Sequence, residues 1–194
     1  SEVLANQELD RRARFDDLTG LLNRKEALER VTTMGGQSRR TGFDTAVLFC
    51  DIDRFKEIND LHGHAAGDAV LRTIAQRISD CVRSGDVTAR VGGDEMLVVL
   101  DGVHGMADAM DIAEKIRVAA SMPVEVPASS IGEPSKALQV RTTVSIGVTL
   151  TFDGESVDQL LARADQAMYQ AKRIGSNRVI SLTAAVTGPA VASG

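Results

Sequence analysis

The feature that most constrains the fold of this chain is a pair of glycines between two apolar runs. The first run covers residues 86–91, the glycines are Gly92 and Gly93, and the second run covers residues 96–100. Two strand-like segments joined by Gly-Gly predict an antiparallel hairpin, because glycine adopts the backbone angles that a tight turn demands. Asp94 and Glu95 follow the glycines, so two carboxylates are expected at the bend. On this pattern alone, a solvated acidic turn and a functional carboxylate pair both remain open.

A second acidic cluster, Asp51-Ile52-Asp53, follows another apolar run that extends from Thr45 to Cys50. A continuous apolar run of this length is typical of a central strand that is buried on both faces. A sheet that places this strand beside the hairpin would let the two acidic clusters meet. Carboxylate oxygens that converge at strand ends are ligands for a hard cation. The pattern therefore predicts a cation site shared by two neighbouring strands.

Length, composition and charge exclude several classes of protein. The chain has 194 residues, of which 43% are hydrophobic and 25% charged, as in an ordinary globular domain with a sizeable core. The net charge of -5 argues against non-specific nucleic-acid binding. No apolar run is long enough to span a bilayer and no signal peptide is visible, so no membrane contact is expected from this segment. Cys50 and Cys81 do not make a disulfide framework, which favours a reduced, cytoplasmic compartment.

The order of apolar patterns predicts an α+β fold, with an antiparallel-dominated central sheet of βαββαβ type flanked by helices. The predicted helices are a connector at 1–15, a helix from Asn23 to Gly35, a short turn at 55–60, a helix from Asp68 to about residue 83, a helix at 106–120, and a helix opened by Ser156 and Gln159 that ends before Gly175. The predicted loops are 37–44, 62–68 and 127–135, and the further strands are 124–126, 137–150 and 179–180. We expect a domain at 16–182 and a disordered tail or linker at 183–194.

Asn23 and Glu26, three residues apart, predict an N-cap with a reciprocal acidic partner, and Ser156 with Gln159 predicts a capping box. These caps fix where the second and the last helix begin.

Several carboxylates in one small site repel one another unless a proton or a bound cation relieves the repulsion. Mg²⁺ does this in phosphoryl-type transfer, where it also neutralises a polyphosphate and lowers the pKa of an attacking hydroxyl. Basic groups must then reach the phosphates, and Lys56 and Lys172 are the candidates. A cation that merely suits the end of its helix is the alternative for Lys172. Neither a P-loop nor a G-x-G-x-x-G turn is present.

Five ordered motifs cover about residues 16–182. They are an opening motif from Asp17 to Arg24, a central block from Phe49 to Asp68, the signature from Arg90 to Met96, and closing blocks at Val144–Val148 and Ala164–Lys172. In this order they resemble the motifs of the GGDEF domain, the diguanylate cyclase family. The resemblance implies a fold similar to nucleotidyl cyclases and polymerase palms. It also implies that two GTP molecules, one held by each of two facing domains of a homodimer, condense into cyclic di-GMP.

The resemblance implies a role for individual residues. It places Mg²⁺, with Mn²⁺ as a possible substitute, on Asp51, the Ile52 carbonyl and Asp94. It assigns catalysis to Asp94, Glu95 and Lys56, with Asp94 accepting the proton of the 3′-hydroxyl. The substrate-binding residues that it implies are Asn59 and Asp68 for the guanine edge, together with His64, Lys172 and Arg178. For His64, a packed loop histidine is the alternative.

Arg83-x-x-Asp86 stands where the family has an inhibitory product site, and Lys115 falls near its second basic residue. The alternative for Arg83 and Asp86 is an exposed ion pair at a helix end. Lysine at position 115 cannot make the fork contact of arginine.

Three features depart from the family pattern. Met96 replaces the usual Phe of the signature, and Ser176 stands where the family usually has an Arg that contacts the triphosphate. Arg178 could compensate for Ser176 if the two share one face of a strand. The segment 123–136 is longer than the usual hairpin. Weaker GTP binding is the expectation. A GGDEF-like module that binds GTP or cyclic di-GMP without turnover, and a magnesium-dependent cyclase of other specificity, remain the competing hypotheses.

Overall fold

The computed structural model describes residues 2–128 and 137–184, with the backbone alone for residues 35–41. The helices within these residues are α1 (Glu2–Arg14), α2 (Arg24–Thr41), α3 (Phe55–His62), α4 (His64–Cys81), α5 (Met106–Ala120) and α6 (Val157–Arg173). The strands are β1 (Asp44–Ile52), β2 (Val87–Arg90), β3 (Glu95–Val103), β4 (Val124–Val126), β5 (Leu138–Val140), β6 (Val144–Leu150) and β7 (Val179–Ser181). None of the helices in these ranges is long and apolar enough to cross a membrane.

The central sheet has five strands in the order β2-β3-β1-β6-β7. Strand β1 pairs antiparallel with both β3 and β6, and only the edge strand β7 runs parallel to its neighbour. Strands β4 and β5 form a separate two-stranded sheet. The α+β fold with an antiparallel-dominated sheet is therefore confirmed, and so is the β2–β3 hairpin around Gly92 and Gly93.

Strand β1 is buried on both faces, as the apolar run predicted. Leu48 and Ile52 face a core built with α4 and α5, where Ile74 is fully buried. Val47 faces a second core built with α2 and α6, where Leu160 is buried. Alternate residues of a strand point to opposite faces, so helices on both sides of the sheet are needed to cover β1. Because both faces of β1 are covered, a ligand can reach this strand at its ends.

Helix α6 lies directly on β6 because Gly147 has no side chain. A Cβ atom on Gly147 would lie 2.9 Å from the carbonyl carbon of Ala167 and would overlap backbone atoms of Ala164 and Met168. Since the obstacle is backbone, no rotamer change could relieve it. The close approach sets the distance between α6 and the sheet.

Both ends of α6 are closed by hydrogen bonds. The predicted capping box is present, with Ser156 and Gln159 bonding to each other's backbone N–H. At the other end, the Ser176 N–H donates to the Ala171 carbonyl at 2.9 Å and the Gly175 N–H donates to the Lys172 carbonyl at 3.3 Å. These two bonds, with Gly175 at a φ of 124°, make a Schellman motif. The last turn of α6 is thereby held in place.

Helix α2 begins as predicted but ends later. The Asn23 side chain accepts the Glu26 N–H at 3.0 Å. The reciprocal bond is replaced, because the Asn23 N–H donates to the Arg14 carbonyl at 2.9 Å. The predicted end near Gly35 is wrong, and so is the predicted loop at 37–44, since the helix continues to Thr41 and is capped by Gly42 at a φ of 72°.

Helix α4 starts four residues earlier than predicted. It begins at His64 rather than Asp68, so the predicted loop at 62–68 is wrong. Gly63, with a φ of 85°, makes the whole turn between α3 and α4, and its N–H donates to the Asn59 carbonyl at 2.8 Å. One residue in a left-handed region is enough to redirect the chain.

The other predicted elements are confirmed in type. The strand predicted at 137–150 is divided into β5 and β6 by residues 141–143. Most of the predicted loop at 127–135 and the tail from residue 185 lie outside the described residues. Helix α1 has no buried residue, and its role as a connector stays a prediction.

Candidate active site

The two acidic clusters meet at one end of the sheet. Asp51 of β1 lies directly opposite Glu95 of β3 in the antiparallel register. The Ile52 N–H donates to the Asp94 carbonyl at 3.3 Å, so the ladder continues to the bend of the hairpin. The Asp94 side chain lies close enough to Asp51 to raise the pKa of the Asp51 carboxyl. Two carboxylates that are far apart in the sequence therefore form one acidic site.

Asp51 is the electrostatic centre of this site. It is buried, and its Oδ2 lies 2.7 Å from the Nζ of Lys172 in the last turn of α6. Its Oδ1 is buried without a hydrogen-bond partner among the described residues. Burial and the contact with Asp94 raise the pKa of Asp51 to about 7, although Lys172 acts to lower it. Near neutral pH the Asp51 carboxyl is therefore only partly ionised.

Glu95 belongs to the same site. Burial, Asp94 and Asp165 raise the pKa of the Glu95 carboxyl, against the lowering effect of Arg24 and Lys172. Several carboxylates share this small volume, and two basic side chains offset only part of their charge.

Gly92 of the hairpin is required for space rather than for its backbone angle, whereas a Cβ atom on Gly93 would meet nothing within 4 Å. A Cβ atom on Gly92 would lie 3.1 Å from the Glu95 Cβ and would overlap the Glu95 carboxylate. Neither Gly92 nor Gly93 has a positive φ. The hairpin prediction is correct, but its stated reason, the angles of a tight turn, is wrong. Gly92 instead lets the Glu95 carboxylate fold over the turn.

The carboxylate geometry fits a divalent cation. The partnerless Oδ1 of Asp51 is an acceptor that a metal ion could use, and a cation would relieve the repulsion between Asp51 and Asp94. Within residues 2–128 and 137–184, no cluster of three or more His, Cys, Asp or Glu side chains could hold a metal ion by itself. A set of two carboxylates and the Ile52 carbonyl needs substrate phosphates and water to complete it, which is how Mg²⁺ is usually bound.

Asp53 has a different task from Asp51. Its Oδ1 accepts the Ser145 hydroxyl at 2.7 Å, and its Oδ2 accepts the Thr143 hydroxyl at 2.7 Å and the Asn177 N–H at 3.0 Å. These donors occupy both of its oxygens, so Asp53 is not available as a cation ligand, and the predicted set of Asp51, the Ile52 carbonyl and Asp94 does not include it. Asp53 ties the end of β1 to β6 and to the turn that follows α6.

Arg90 holds the hairpin turn through hydrogen bonds to its carbonyls, a role that was not predicted from the sequence. Its Nε and Nη2 donate to the carbonyls of Gly92 and Gly93 at 2.8–3.2 Å. Its Nη1 lies 3.3 Å from both carboxylate oxygens of Asp16. Asp16 also accepts the N–H and the hydroxyl of Thr19, at 2.8 and 2.7 Å. Arg90 therefore links the turn that carries Asp94 to the opening motif.

The Asp16 carboxyl shows how firmly this link is made. Burial acts to raise the pKa of Asp16, but the hydrogen bonds from Thr19 and the charge of Arg90 outweigh it and lower the pKa. The opening motif thus begins at Asp16, whereas Asp17 pairs with Arg11 at 3.2 Å. Two sequence features could have indicated this link. Asp16 stands three residues before Thr19, and Arg90 stands two residues before the Gly92-Gly93 pair.

The residues proposed to bind the base and Lys56, which is proposed to stabilise charge on the phosphates, lie on α3 and α4. Lys56 is exposed on α3, and Asn59 is half-buried with its amide against Gly67. Asp68 is half-buried in the next position along α4. His64 is an exposed residue at the start of α4, so the alternative of a packed loop histidine is wrong. The Asn59 amide thus lies against the residue that precedes Asp68, and the roles of Asn59 and Asp68 stay predictions.

Lys172 and Arg178 behave differently. Lys172 ends its helix and also reaches Asp51, so it is more than a helix-end cation. Ser176 and Asn177 have φ values of 60° and 47°, so the premise of a strand that carries residues 176 and 178 on one face is wrong. The Arg178 Nε donates back to the Ser176 carbonyl at 3.0 Å, and its guanidinium packs over Gly175. A contact between Arg178 and a triphosphate stays a prediction.

The Arg83–Asp86 turn is closed through the backbone. Asp86 accepts the N–H groups of Arg83 at 2.8 Å and of Asp101 at 3.0 Å. The exposed Arg83 side chain makes no hydrogen bond or ion pair within the described part of the chain, so the alternative of a helix-end ion pair is wrong. Lys115 of α5 is exposed, and its charge acts to lower the pKa of the Cys81 thiol, which burial raises. Arg83 and Lys115 are thus both available to a ligand.

The comparison with protein families gives one match over most of the chain. Residues 13–178 match the family model described as "Diguanylate cyclase, GGDEF domain". Among curated relatives, "Diguanylate cyclase DgcM" of Escherichia coli K12 is 39% identical over 177 residues, which are 90% of this chain and 40% of that protein. "Response regulator PleD" of Caulobacter vibrioides is 39% identical over 170 residues, 87% of this chain and 36% of that protein. The chain therefore spans 40% or less of the length of these two relatives.

Solved structures give the same result for the fold. The GGDEF domain of TpbB from Pseudomonas aeruginosa has a TM-score of 0.79 at 39% identity, covering 86% of this chain and 93% of that one. The coiled coil and GGDEF domain of DgcB from Caulobacter crescentus, in complex with c-di-GMP, has a TM-score of 0.82 at 30% identity, covering 93% of each chain.

Proposed function

Because this chain belongs to the GGDEF family of diguanylate cyclases, we propose that it condenses two GTP molecules into cyclic di-GMP and diphosphate. The observation that carries the proposal is the buried Asp51 carboxylate, which lies beside Asp94, pairs with Lys172 and has one oxygen without a hydrogen-bond partner among residues 2–128 and 137–184. This arrangement can hold a divalent cation and the phosphates of a nucleotide at once.

Asp51, the Ile52 carbonyl and Asp94 would hold Mg²⁺ or Mn²⁺. The bound ion supplies neutralisation of the triphosphate and lowers the pKa of the attacking 3′-hydroxyl. Asp94 accepts the proton of that hydroxyl as its oxygen attacks the α-phosphorus and diphosphate leaves. Glu95 adds negative charge that favours the cation, and Lys56 stabilises charge on the phosphates.

Lys172 has two tasks in this proposal. In the free protein it offsets the charge of Asp51 at 2.7 Å. When the cation takes over that task, the Nζ becomes available to the phosphates, and the Schellman motif at the end of α6 keeps the residue in reach. A cation held at Asp51 would oppose protonation of this carboxyl, so the raised pKa of Asp51 should fall when metal is bound.

The base is recognised in this proposal by Asn59 and Asp68. A carboxylate accepts from the N1 and N2 hydrogens of guanine, and an amide can both donate and accept. Adenine offers no such pair of donors on that edge, so GTP is the proposed substrate rather than ATP. Exchanging GTP for ATP in the assay tests this specificity directly.

Each copy of the chain offers one such site, and two GTP molecules must face each other, so we propose that a homodimer is the catalytic unit. Purified protein is incubated with GTP and Mg²⁺ over a range of protein concentrations, and the nucleotides are separated by chromatography. We expect cyclic di-GMP, with a specific rate that rises with protein concentration. Asp94→Asn should abolish turnover at an unchanged melting temperature, while the exposed Asp158→Asn serves as the matched control. No cyclic dinucleotide at any concentration would contradict the proposal.

The second candidate is a module that binds GTP or cyclic di-GMP without turnover. It is favoured by Ser176, and by Arg178 donating to the Ser176 carbonyl instead of extending away from the turn. Calorimetry with GTP or cyclic di-GMP separates the two candidates, since tight binding with zero turnover would support the module.

We also propose that cyclic di-GMP inhibits the enzyme at the exposed Arg83, together with Asp86 and Lys115. The support is that the Arg83 guanidinium is unpaired among the described residues while Asp86 rigidifies its backbone. A preformed turn with an unpaired guanidinium suits a phosphate or a guanine edge.

A further inference from the structure

Gly67 lies in the first turns of α4, and Asn59 of α3 packs against it. A Cβ atom on Gly67 would lie 2.9 Å from the Asn59 Cγ and would overlap the Asn59 Oδ1. The same Cβ would lie 3.3 Å from the Cζ of Phe55. The amide of Asn59 therefore occupies the volume in which any other residue at position 67 would have its side chain.

Backbone conformation does not explain a glycine at this position. Gly67 is buried within a helix and has no positive φ. Glycine is among the least favourable residues in a helix interior, because it loses more backbone freedom than alanine does. The gain that offsets this cost is the space it leaves for Asn59.

We propose that Gly67 is a positioning residue that determines nucleobase specificity by fixing where the Asn59 amide lies. The inference rests on the proposed function, in which Asn59 and Asp68 recognise the guanine edge. Gly67, which makes room for the Asn59 amide, directly precedes Asp68, the other residue proposed to recognise the base. The carboxylates that hold the cation lie elsewhere, at the ends of β1 and β3.

The substitution Gly67→Ala inserts one methyl group at the position of the amide. Asn59 must then turn away, while Asp51, Asp94 and Lys172 keep their places. We expect the KM for GTP to rise at least fivefold, roughly the effect of one lost hydrogen bond, with kcat within about twofold. The preference for GTP over ATP should fall by a similar factor, because the Asn59 amide can donate to O6 of guanine, whereas adenine has an amino group at that position.

A double-mutant cycle tests the contact without reference to activity. Gly67→Ala should lower the melting temperature of the wild type, because the methyl group meets the amide. In an Asn59→Ala background the same substitution should leave the melting temperature unchanged or raise it. The overlap with the amide is then gone, the Phe55 ring at 3.3 Å can shift slightly, and alanine favours the helix. An equal effect in both backgrounds would overturn the proposal. The exposed Ala65→Ser, two residues away on α4, controls for changes near the helix start.

Equilibrium binding separates this inference from the proposed function. Titrations of wild type, G67A, N59A and N59A/G67A with GTP and with ATP require no turnover. If the wild type makes no cyclic di-GMP, the proposed function fails, while the binding preference still decides the role of Gly67. An unchanged preference in G67A would refute that role, and a preference reduced as far as in N59A would support it.

Discussion

Replacing Arg90 with alanine removes the guanidinium that holds the turn carrying Asp94. Arg90 donates to the carbonyls of Gly92 and Gly93 at 2.8–3.2 Å and pairs with Asp16 at 3.3 Å. Its side chain is 19% exposed and that of Asp16 is 21% exposed, so water screens these contacts only in part. Net contributions of about 1 kcal/mol for each carbonyl and somewhat less for the ion pair predict a loss of about 2–3 kcal/mol in the free energy of unfolding.

The effect of Arg90→Ala on activity should exceed its effect on folding. Without the clamp, the carbonyls of the turn are free to rotate and Asp94 loses its fixed place beside Asp51. A misplacement of about 1 Å can cost about 100-fold in rate, and we expect a fall in kcat of that order. Arg90→Lys keeps the charge but not the fork, so it should restore the ion pair and not the two carbonyl contacts.

Urea unfolding and cyclic di-GMP production should be measured for R90A, D16A and the double variant. We expect a coupling energy of about 1 kcal/mol between Arg90 and Asp16, since the two side chains are in contact. The control is Arg12→Ala, which removes an exposed ion pair with Glu8 on α1 and should leave both quantities unchanged. The reasoning is refuted if R90A unfolds at the wild-type urea concentration and retains kcat within twofold.

Three further predictions follow from the packing and charge. Gly147→Ala should lower the free energy of unfolding by about 3 kcal/mol, because the methyl group meets the α6 backbone; urea midpoints check this, and an unchanged midpoint contradicts it. The pKa of Asp51 is about 7 in the folded protein against an ordinary 3.8, so the stability it contributes is present below about pH 4 and lost as the pH rises through 7. Without metal, the wild type should therefore lose up to about 4 kcal/mol relative to Asp51→Asn between pH 4 and 8; parallel curves would contradict this. Arg83→Ala should raise the cyclic di-GMP concentration for half-inhibition at least about tenfold, and an identical inhibition curve would remove the inhibitory site.

The meeting of Asp51 and Asp94 could be predicted because it depends on local patterns. An apolar run specified β1, a Gly-Gly turn between apolar runs specified the hairpin, and antiparallel pairing of the two brings their ends together. The sign and the spacing of the charges were then enough to suggest a cation site.

Helix boundaries were predicted less well, because they depend on single glycines. Gly63 and Gly42 adopt left-handed angles and end helices, whereas Gly35 lies within α2 and Gly67 within α4. Composition alone does not distinguish a glycine that terminates a helix from one that makes room for a neighbour. Only the tertiary position of Asn59 explains Gly67.

The contacts of Asp53 and Arg90 could not be predicted from local sequence. Asp51 and Asp53 are two residues apart, and the local sequence does not distinguish their roles. Ser145 of β6 and Asn177 nevertheless donate hydrogen bonds to Asp53 and not to Asp51. Arg90 finds Asp16 across 74 positions of the chain. Such partners are set by the packing of distant segments.

The most direct test of the account is a titration with Mn²⁺ followed by electron paramagnetic resonance, in the presence of a non-hydrolysable GTP analogue. We expect the wild type to bind Mn²⁺ together with the nucleotide. We expect Asp51→Asn and Asp94→Asn each to weaken this binding at least about tenfold. Mn²⁺ binding of equal strength in the wild type and in both variants would contradict the claim that Asp51 and Asp94 hold the catalytic cation.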